Sequence, residues 1–431
     1  MAGLTPPYTP TDSELSEDGM PWRQILGGSF LGSIVAGGAY FTARDRGTLS
    51  DLYFKVSRAI NPLWRFLPPE RAHRFTVLAA KYNLVPREYR MDPSCLHVDL
   101  WGRHFNNPIG LAAGFDKSAE GVDGLLGMGF GAVEIGSVTP VPQAGNPGSR
   151  LFRLPEQQAV INRYGFNNEG IEVVSKRLAE CHKRRRRVGK RNGVRQGGGS
   201  VQKHGLETGI IGVNLGKNKK TEDAAADFEK GVRGLAQYAD YLVINVSSPN
   251  TPGLRNLQGR EQLQALIKRV LDARNDMQWG EETPPPVLVK VSPDLTEEDM
   301  EDIAAVVIAE HVEGLIVSNT TIKRPKAMEG LPGTQVHAGL SGRPLLERSN
   351  EVLRDMYRLT EGKIPIIGCG GISSGEDAYV KIRAGASLVQ LCTAFMIEGP
   401  PLVPRIKREL AALLERDGFK SVSEAVGIDH R

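Results

Sequence analysis

Eight short apolar runs govern what this chain can become. They are NPIGLAA (107–113), AVEIGSV (132–138), GIIGVN (209–214), YLVINV (241–246), PVLVKV (286–291), GLIVSN (314–319), PIIGCG (365–370) and SLVQLC (387–392). Each is too short for an ordinary helix and almost continuously apolar, the pattern of a strand buried on both faces. Amphipathic helical sequence follows, as in EDAAADFEKGVRGLAQYA, EEDMEDIAAVVIAEH and SGEDAYVKIRAG. Such strands alternating with helices predict a parallel sheet covered by helices. Eight units over roughly 300 residues predict a (β/α)8 TIM barrel, an α/β fold whose usual length is about 250 residues before insertions. A doubly wound open sheet is the alternative, but it would want a G-x-G-x-x-G at the first turn, and none stands there.

Other segments lie outside this alternation. Residues 1–22 carry Pro, Ser, Thr and four acids before the first Arg, and are expected to be disordered. Between Arg23 and Arg44 lie 20 uncharged residues, QILGGSFLGSIVAGGAYFTA. At about 1.5 Å per residue they match the roughly 30 Å core of a bilayer, so 23–44 is expected to be a transmembrane anchor. The acidic start fits neither a signal peptide nor an Arg-rich presequence. Residues 48–92 have helical spacing broken at Pro62 and Pro68-Pro69. Phe54, Ile60, Leu63, Trp64 and Phe66 make them unusually apolar, as for a helical hairpin that packs on the main domain or lies at a membrane surface. The segment CLHVDLWGRHF predicts a hairpin turning at Trp101-Gly102, and the main domain is expected over 94–431.

Two insertions interrupt the alternation, at 140–167 and at 182–205. The second contains KRRRR and is expected to be a flexible basic surface loop. That run exceeds the net charge of +4 by itself, so the charge balance gives no reason to expect a nucleic-acid partner. The four cysteines, Cys95, Cys181, Cys369 and Cys392, are scattered with no CxxC, which argues against a disulfide framework and against a metal site.

A barrel places chemistry at the C-terminal ends of its strands. Read in order, those ends offer Ala113-Gly114 with Asp116 and Lys117, then Ser137, Asn214, Asn245 with Ser247 and Ser248, Lys290, Asn319 with Thr320, Gly370-Gly371, and Cys392-Thr393. Buried Asn and Lys are costly unless partnered, so several on one rim point to a polar ligand. The run GCGGISSGED follows the seventh strand and opens a helix, where barrels commonly bind phosphate. GLSGRPL adds a second glycine pair before it. A phosphorylated planar cofactor such as FMN fits this rim. Lys290 would then sit beside the charge that develops on a flavin, or else form a barrel-interior salt bridge.

AAGFDK (112–117), GSVTP (136–140), VINRYGFNN (160–168), GVNLGKNK (212–219), NVSSPNTPGLRNLQ (245–258), LVKVSPDL (288–295), SNTT (318–321), GLSGRPL (339–345) and GCGGISSG (368–375) closely resemble the dihydroorotate dehydrogenase family, in its membrane-bound, quinone-reducing class 2 form. The resemblance implies an FMN enzyme of the mitochondrial inner membrane. It would oxidise dihydroorotate to orotate in pyrimidine biosynthesis and pass electrons to ubiquinone. Membrane lipid would be a neighbour and a monomer is expected. The charges flanking the anchor would put the barrel on the inside, whereas the family implies the intermembrane-space side, which is the expectation adopted.

Carried over motif by motif, the resemblance implies flavin contacts from Ala112, Ala113, Gly114, Ser137, Asn214, Asn245, Lys290, Ser318, Gly342, Gly370, Gly371, Cys392 and Thr393. It implies substrate contacts from Lys117, Asn162, Arg163, Tyr164, Gly165, Phe166, Asn245, Asn250, Asn319 and Thr320. His73 and Arg153 resemble the polar residues of the quinone tunnel, formed with 48–92. Ser248 resembles the catalytic base, where soluble relatives carry cysteine. A serine can serve only if its proton is passed on, through water or the nearby Thr251; the alternative is that Ser248 caps the turn and Ser247 does the chemistry. Cys392 stands where animal members have tyrosine, and Trp64 where a smaller polar residue is common.

Overall fold

The computed structural model describes residues 46–191, 209–280, 283–331 and 333–431. All eight apolar runs form strands: β3 (Ile109–Leu111), β4 (Ala132–Val138), β7 (Ile210–Leu215), β8 (Tyr241–Asn245), β9 (Val287–Val291), β10 (Gly314–Val317), β12 (Ile366–Cys369) and β13 (Ala386–Leu391). They close into a parallel barrel in the order β3-β4-β7-β8-β9-β10-β12-β13, with β13 returning to β3. Sequential barrel strands are neighbours throughout, as short βαβ connections favour. The expected hairpin is present as β1 (Val98–Leu100) and β2 (Arg103–Phe105).

Helices cover the barrel because their apolar stripes need a partner. In α7 (Glu297–Ala309), Met300, Ile303, Ala304 and Val307 are buried on one face. Its start is fixed by a capping box between Thr296 and Asp299, a device that contributes about 1 kcal/mol. The helix α9 (Gly375–Arg383) begins at Ser374, whose hydroxyl accepts the Asp377 N–H, and buries Ala378, Tyr379 and Ile382.

The 140–167 insertion has structure of its own. Here β5 (Leu151–Leu154) and β6 (Ala159–Asn162) form a small antiparallel sheet completed by β11 (Gly339–Gly342), over a second apolar cluster that includes Leu154, Ile161 and Leu340. The basic insertion differs from the expected loop at its start. The helix α4 (Gly170–Arg191) continues through 182–191, because Lys and Arg are good helix formers and Arg184 bonds Asp123 at 2.9 Å; residues 192–208 lie outside the described residues.

Residues 46–81 form α1 (Arg46–Ile60), a 3-10 turn (Asn61–Phe66) and α2 (Pro69–Lys81), with the breaks at the predicted prolines. Residues 82–92 carry no helix. The unit is tied both to the segment that follows it and to the barrel domain. Ser50 Oγ donates to Glu88 Oε1 at 3.0 Å, and Asn61 Nδ2 donates to Ile397 O at 2.8 Å. Several large apolar side chains face outward, with Phe66 84% and Leu63 59% exposed. The expected acidic segment 1–22 and anchor 23–44 lie outside the described residues. Among the described ones, no helix is long and apolar enough to cross a membrane.

Candidate active site

A cavity of about 380 Å³ opens at the C-terminal rim of the barrel, roofed by the β5-β6-β11 sheet and by α2. Its floor is a continuous polar network. Ser137 Oγ donates to Asn214 Oδ1. Asn245 Nδ2 donates to Ser137 Oγ at 2.9 Å, and Asn319 Nδ2 reaches Asn245 Oδ1 at 3.2 Å and Ser247 Oγ at 2.9 Å. Asn214 Nδ2 continues the chain to Glu134 Oε1 at 2.8 Å. Glu134 also accepts from Gln390 at 2.6 Å and lies 3.6 Å from the Lys290 ammonium. Burial, the largest single influence, pulls the Lys290 ammonium down, but Glu134 together with Cys369 and Cys392 more than offsets it and holds the group above its ordinary value, hence charged.

The two serines after β8 have different environments. Ser247 is fully buried and its hydroxyl donates to Asn245 Oδ1 at 3.0 Å. Ser248 lines the cavity, and its Oγ accepts the Asn250 N–H at 3.3 Å. It therefore both caps the turn and faces the ligand space. Thr251 is buried but is not among the cavity-lining residues.

Facing Ser248 is a pair of amides. Asn250 Nδ2 donates to Asn162 Oδ1 at 3.0 Å, while Asn250 Oδ1 is buried with no partner among the described residues. An unpartnered buried carbonyl costs about 1–3 kcal/mol, and it points to a missing N–H donor. Lys117 stands on the α2 side with its ammonium 3.6 Å from the Tyr164 ring centroid. Burial, then the Arg150 charge, pull its pKa down to about 7. His73 is buried beside it, its Nε2 2.7 Å from Phe115 O, and burial brings its pKa down to about 3. The imidazole is thus neutral at any physiological pH and donates to that carbonyl.

At the opposite end the backbone itself forms the wall. Gly342 has φ +99°, and a Cβ there would meet Gln158 O at 2.2 Å. Gly371 has φ +79°, and a Cβ would meet Leu346 Cα at 2.5 Å. Gly370, Thr393 and Ser318 complete this end, with Ala112, Ala113 and Gly114 as a smooth small-residue side wall. Burial pushes the Cys392 thiol, which also lines the cavity, up to about 11, so it is protonated. A flat ring system carrying a phosphate fits this space. Small side chains would flank the ring and glycine backbone would meet the phosphate, while Lys290 and Gln390 Oε1, which has no partner among the described residues, would lie towards the ring's polar edge.

The predicted residues gather here with three exceptions. Asn214 lies beneath the cavity and supports Ser137 and Asn245, because β7 turns it into the barrel interior. Arg163 does not line the cavity; its N–H bonds Arg150 O at 2.8 Å and its carbonyl accepts from Asn146. Arg153 lies outside it too, its guanidinium donating to Trp64 O at 3.0 Å and to Leu67 O, so that it pins the 3-10 turn. Asn162, Tyr164, Gly165, Phe166, Asn245, Asn319 and Thr320 all line it. The sequence reading missed Glu134, Gln390 and the Glu70–Arg150 pair, in which Arg150 Nε donates to Glu70 Oε2 at 3.0 Å. A charged residue within AVEIGSV and a glutamine within SLVQL were the available signals.

A family model described as dihydroorotate dehydrogenase matches residues 95–414. The chain belongs to the dihydroorotate dehydrogenase family. It is 59% identical over 409 residues to "Dihydroorotate dehydrogenase (quinone), mitochondrial" of Oryza sativa subsp. japonica, covering 95% of this chain and 87% of the relative. The mouse protein of the same name is 49% identical over 414 residues, covering 96% of this chain and 100% of its own length. Among solved structures, that of the Eimeria tenella enzyme in complex with ferulenol superposes with a TM-score of 0.79 at 40% identity, covering 85% of this chain and 97% of that one.

Proposed function

We propose that this protein oxidises dihydroorotate to orotate with FMN as cofactor and ubiquinone as final acceptor, in pyrimidine biosynthesis at the mitochondrial inner membrane. One observation carries the reading: Ser248, the unpartnered Asn250 carbonyl and the glycine-walled phosphate end line one cavity. Bound FMN supplies a hydride acceptor that can afterwards reduce a quinone. The chain's own residues do the rest. The amides of Asn162, Asn250, Asn245 and Asn319 match the alternating N–H and C=O groups of a cyclic ureide. The Lys117 ammonium pairs with the substrate carboxylate. Ser248 Oγ takes the proton from C5 while its own hydroxyl proton leaves to water in the cavity. The relay through Thr251 is set aside, because that side chain does not line the cavity. Lys290, kept charged by Glu134, supplies positive charge beside the ring.

Quinone is proposed to enter between α1 and α2, past His73, Met396 and Ile397, which line the same cavity. Residues 23–44 are proposed as the anchor that holds this mouth at the bilayer, with the barrel facing the intermembrane space. The test is the visible spectrum of the purified protein, held anaerobically. Dihydroorotate should bleach a flavin band and a ubiquinone analogue should restore it. Ser248→Ala should stay yellow but bleach more slowly by about a hundredfold or more, the usual contribution of a general base. A band indifferent to dihydroorotate would overturn the substrate, and unchanged bleaching in the variant would overturn the base.

A further inference from the structure

Lys381, on α9, is fully buried, and its ammonium donates to two neutral oxygens, Ser349 Oγ at 2.7 Å and Asn350 Oδ1 at 2.7 Å. Buried lysines are ordinarily paired with a carboxylate. The acid one turn before it on the same helix, Asp377, is instead engaged by Arg343 at 2.7 Å and by the Ser373 N–H at 2.9 Å. Lys381 lines no part of the cavity and has no place in the substrate chemistry.

Its neighbour connects it to the cofactor end. Ser349 Oγ, on α8 (Leu346–Leu359), lies 2.8 Å from Leu346 O and 3.0 Å from Gly370 O and can donate its hydrogen to either. Gly370 O and Gly371 N–H belong to one planar trans peptide, so holding the carbonyl towards Ser349 turns the N–H the other way. That N–H has no acceptor among the described residues, and Gly371 lines the cavity. An ammonium, a hydroxyl and a carbonyl thus stand in series behind a free cavity-facing donor. Hydrogen bonds in such a chain polarise one another, more so in a low-dielectric interior.

We propose that Lys381 is a positioning residue for the cofactor phosphate, orienting and polarising the Gly370–Gly371 peptide through Ser349 and supplying a buried counter-charge behind it. The inference rests on the FMN reading. The groups around Lys381 set its titration. Burial pulls its pKa down to about 7, with Cys369 at the end of β12 and Asp377 on α9 opposing, and Arg354 on α8 adding to the fall. A phosphate dianion nearby favours the ammonium and raises that pKa. Flavin retention is therefore strongest where the phosphate is doubly ionised and Lys381 still charged, and weakens as pH rises above about 7.

The test uses the full-length holoprotein and follows flavin fluorescence on dilution from about pH 6.5 to 9. The native protein should release flavin faster as pH rises. Lys381→Met should release it about tenfold faster at the acidic end, the size of one charge-assisted contact, and should lose the pH slope. Lys381→Arg, charged throughout, should restore slow release while remaining flat with pH. Ser349→Ala keeps the ammonium on Asn350 but cuts the link to Gly370, so it too should release flavin faster. Native rates and slope in Lys381→Met would overturn the proposal. Should that variant not fold, a native rate in Ser349→Ala would do so. Mass analysis of the released cofactor separates the two readings. A flavin without phosphate removes the FMN assignment whatever Lys381 does, whereas FMN released identically from every variant removes only this inference.

Discussion

Ser247 and Ser248 are adjacent and alike in the sequence, and packing alone separates them. Ser247 is spent on the asparagine ring, while Ser248 looks into the cavity. Spacing could not have decided this, since both follow the same strand. Lys117 carries a sharper consequence. Its ammonium is held near neutrality by burial and by Arg150, against Cys392, Glu70 and Asp116. An anionic ligand needs the charged form, so orotate should bind more weakly as pH rises through about 7, by up to about tenfold per unit. Inhibition by orotate measured at several pH values checks this, and Lys117→Met should bind weakly with no such slope. A constant affinity in the native protein would contradict the assignment. Most residues that line the cavity were legible, because polar groups at apolar strand ends stand out. Those that act one layer below were not. Glu134 sits inside an apolar run, and only the closed barrel brings it to Lys290, Asn214 and Gln390.

At the scale of elements, period and punctuation were enough for the eight strands and for the breaks at Pro62 and Pro68. The 140–167 insertion was legible only as an insertion. Its second strand, β6, pairs with β11, nearly two hundred residues away in Leu340↔Ile161, and no local pattern announces such a partner. The end of α4 in the basic run was missed for the opposite reason: local charge suggested a loop, while Lys and Arg are themselves good helix formers and the helix continued. The α1–α2 unit leaves Leu63 and Phe66 largely exposed, a patch that a soluble surface would not favour. Replacing both with Asp should lower binding to vesicles and slow quinone reduction several-fold. Bleaching by dihydroorotate should not change, because neither residue lines the cavity. Equal losses in both half-reactions would mean that the patch supports the fold and not the quinone.

The whole molecule divides its labour along the barrel axis. On the proposed reading, substrate and phosphate are handled at the strand ends, while the helical unit covers the α2 side, where His73 and Met396 line the cavity. This division predicts what removing residues 1–43 does. The described fold begins beyond them, and α1 keeps its ties through Ser50 to Glu88 and to Arg87 O at 3.0 Å. No element of the barrel or of its network is lost. The truncated protein should therefore stay yellow and reduce a soluble dye with dihydroorotate at nearly the native rate, yet no longer sediment with membranes. Sedimentation and the dye assay on one preparation measure both. A truncated protein that still pellets would place membrane attachment in α1 and α2. One that loses dye reduction would mean that the N-terminal residues reach the rim, and that anchor and catalysis are not separate.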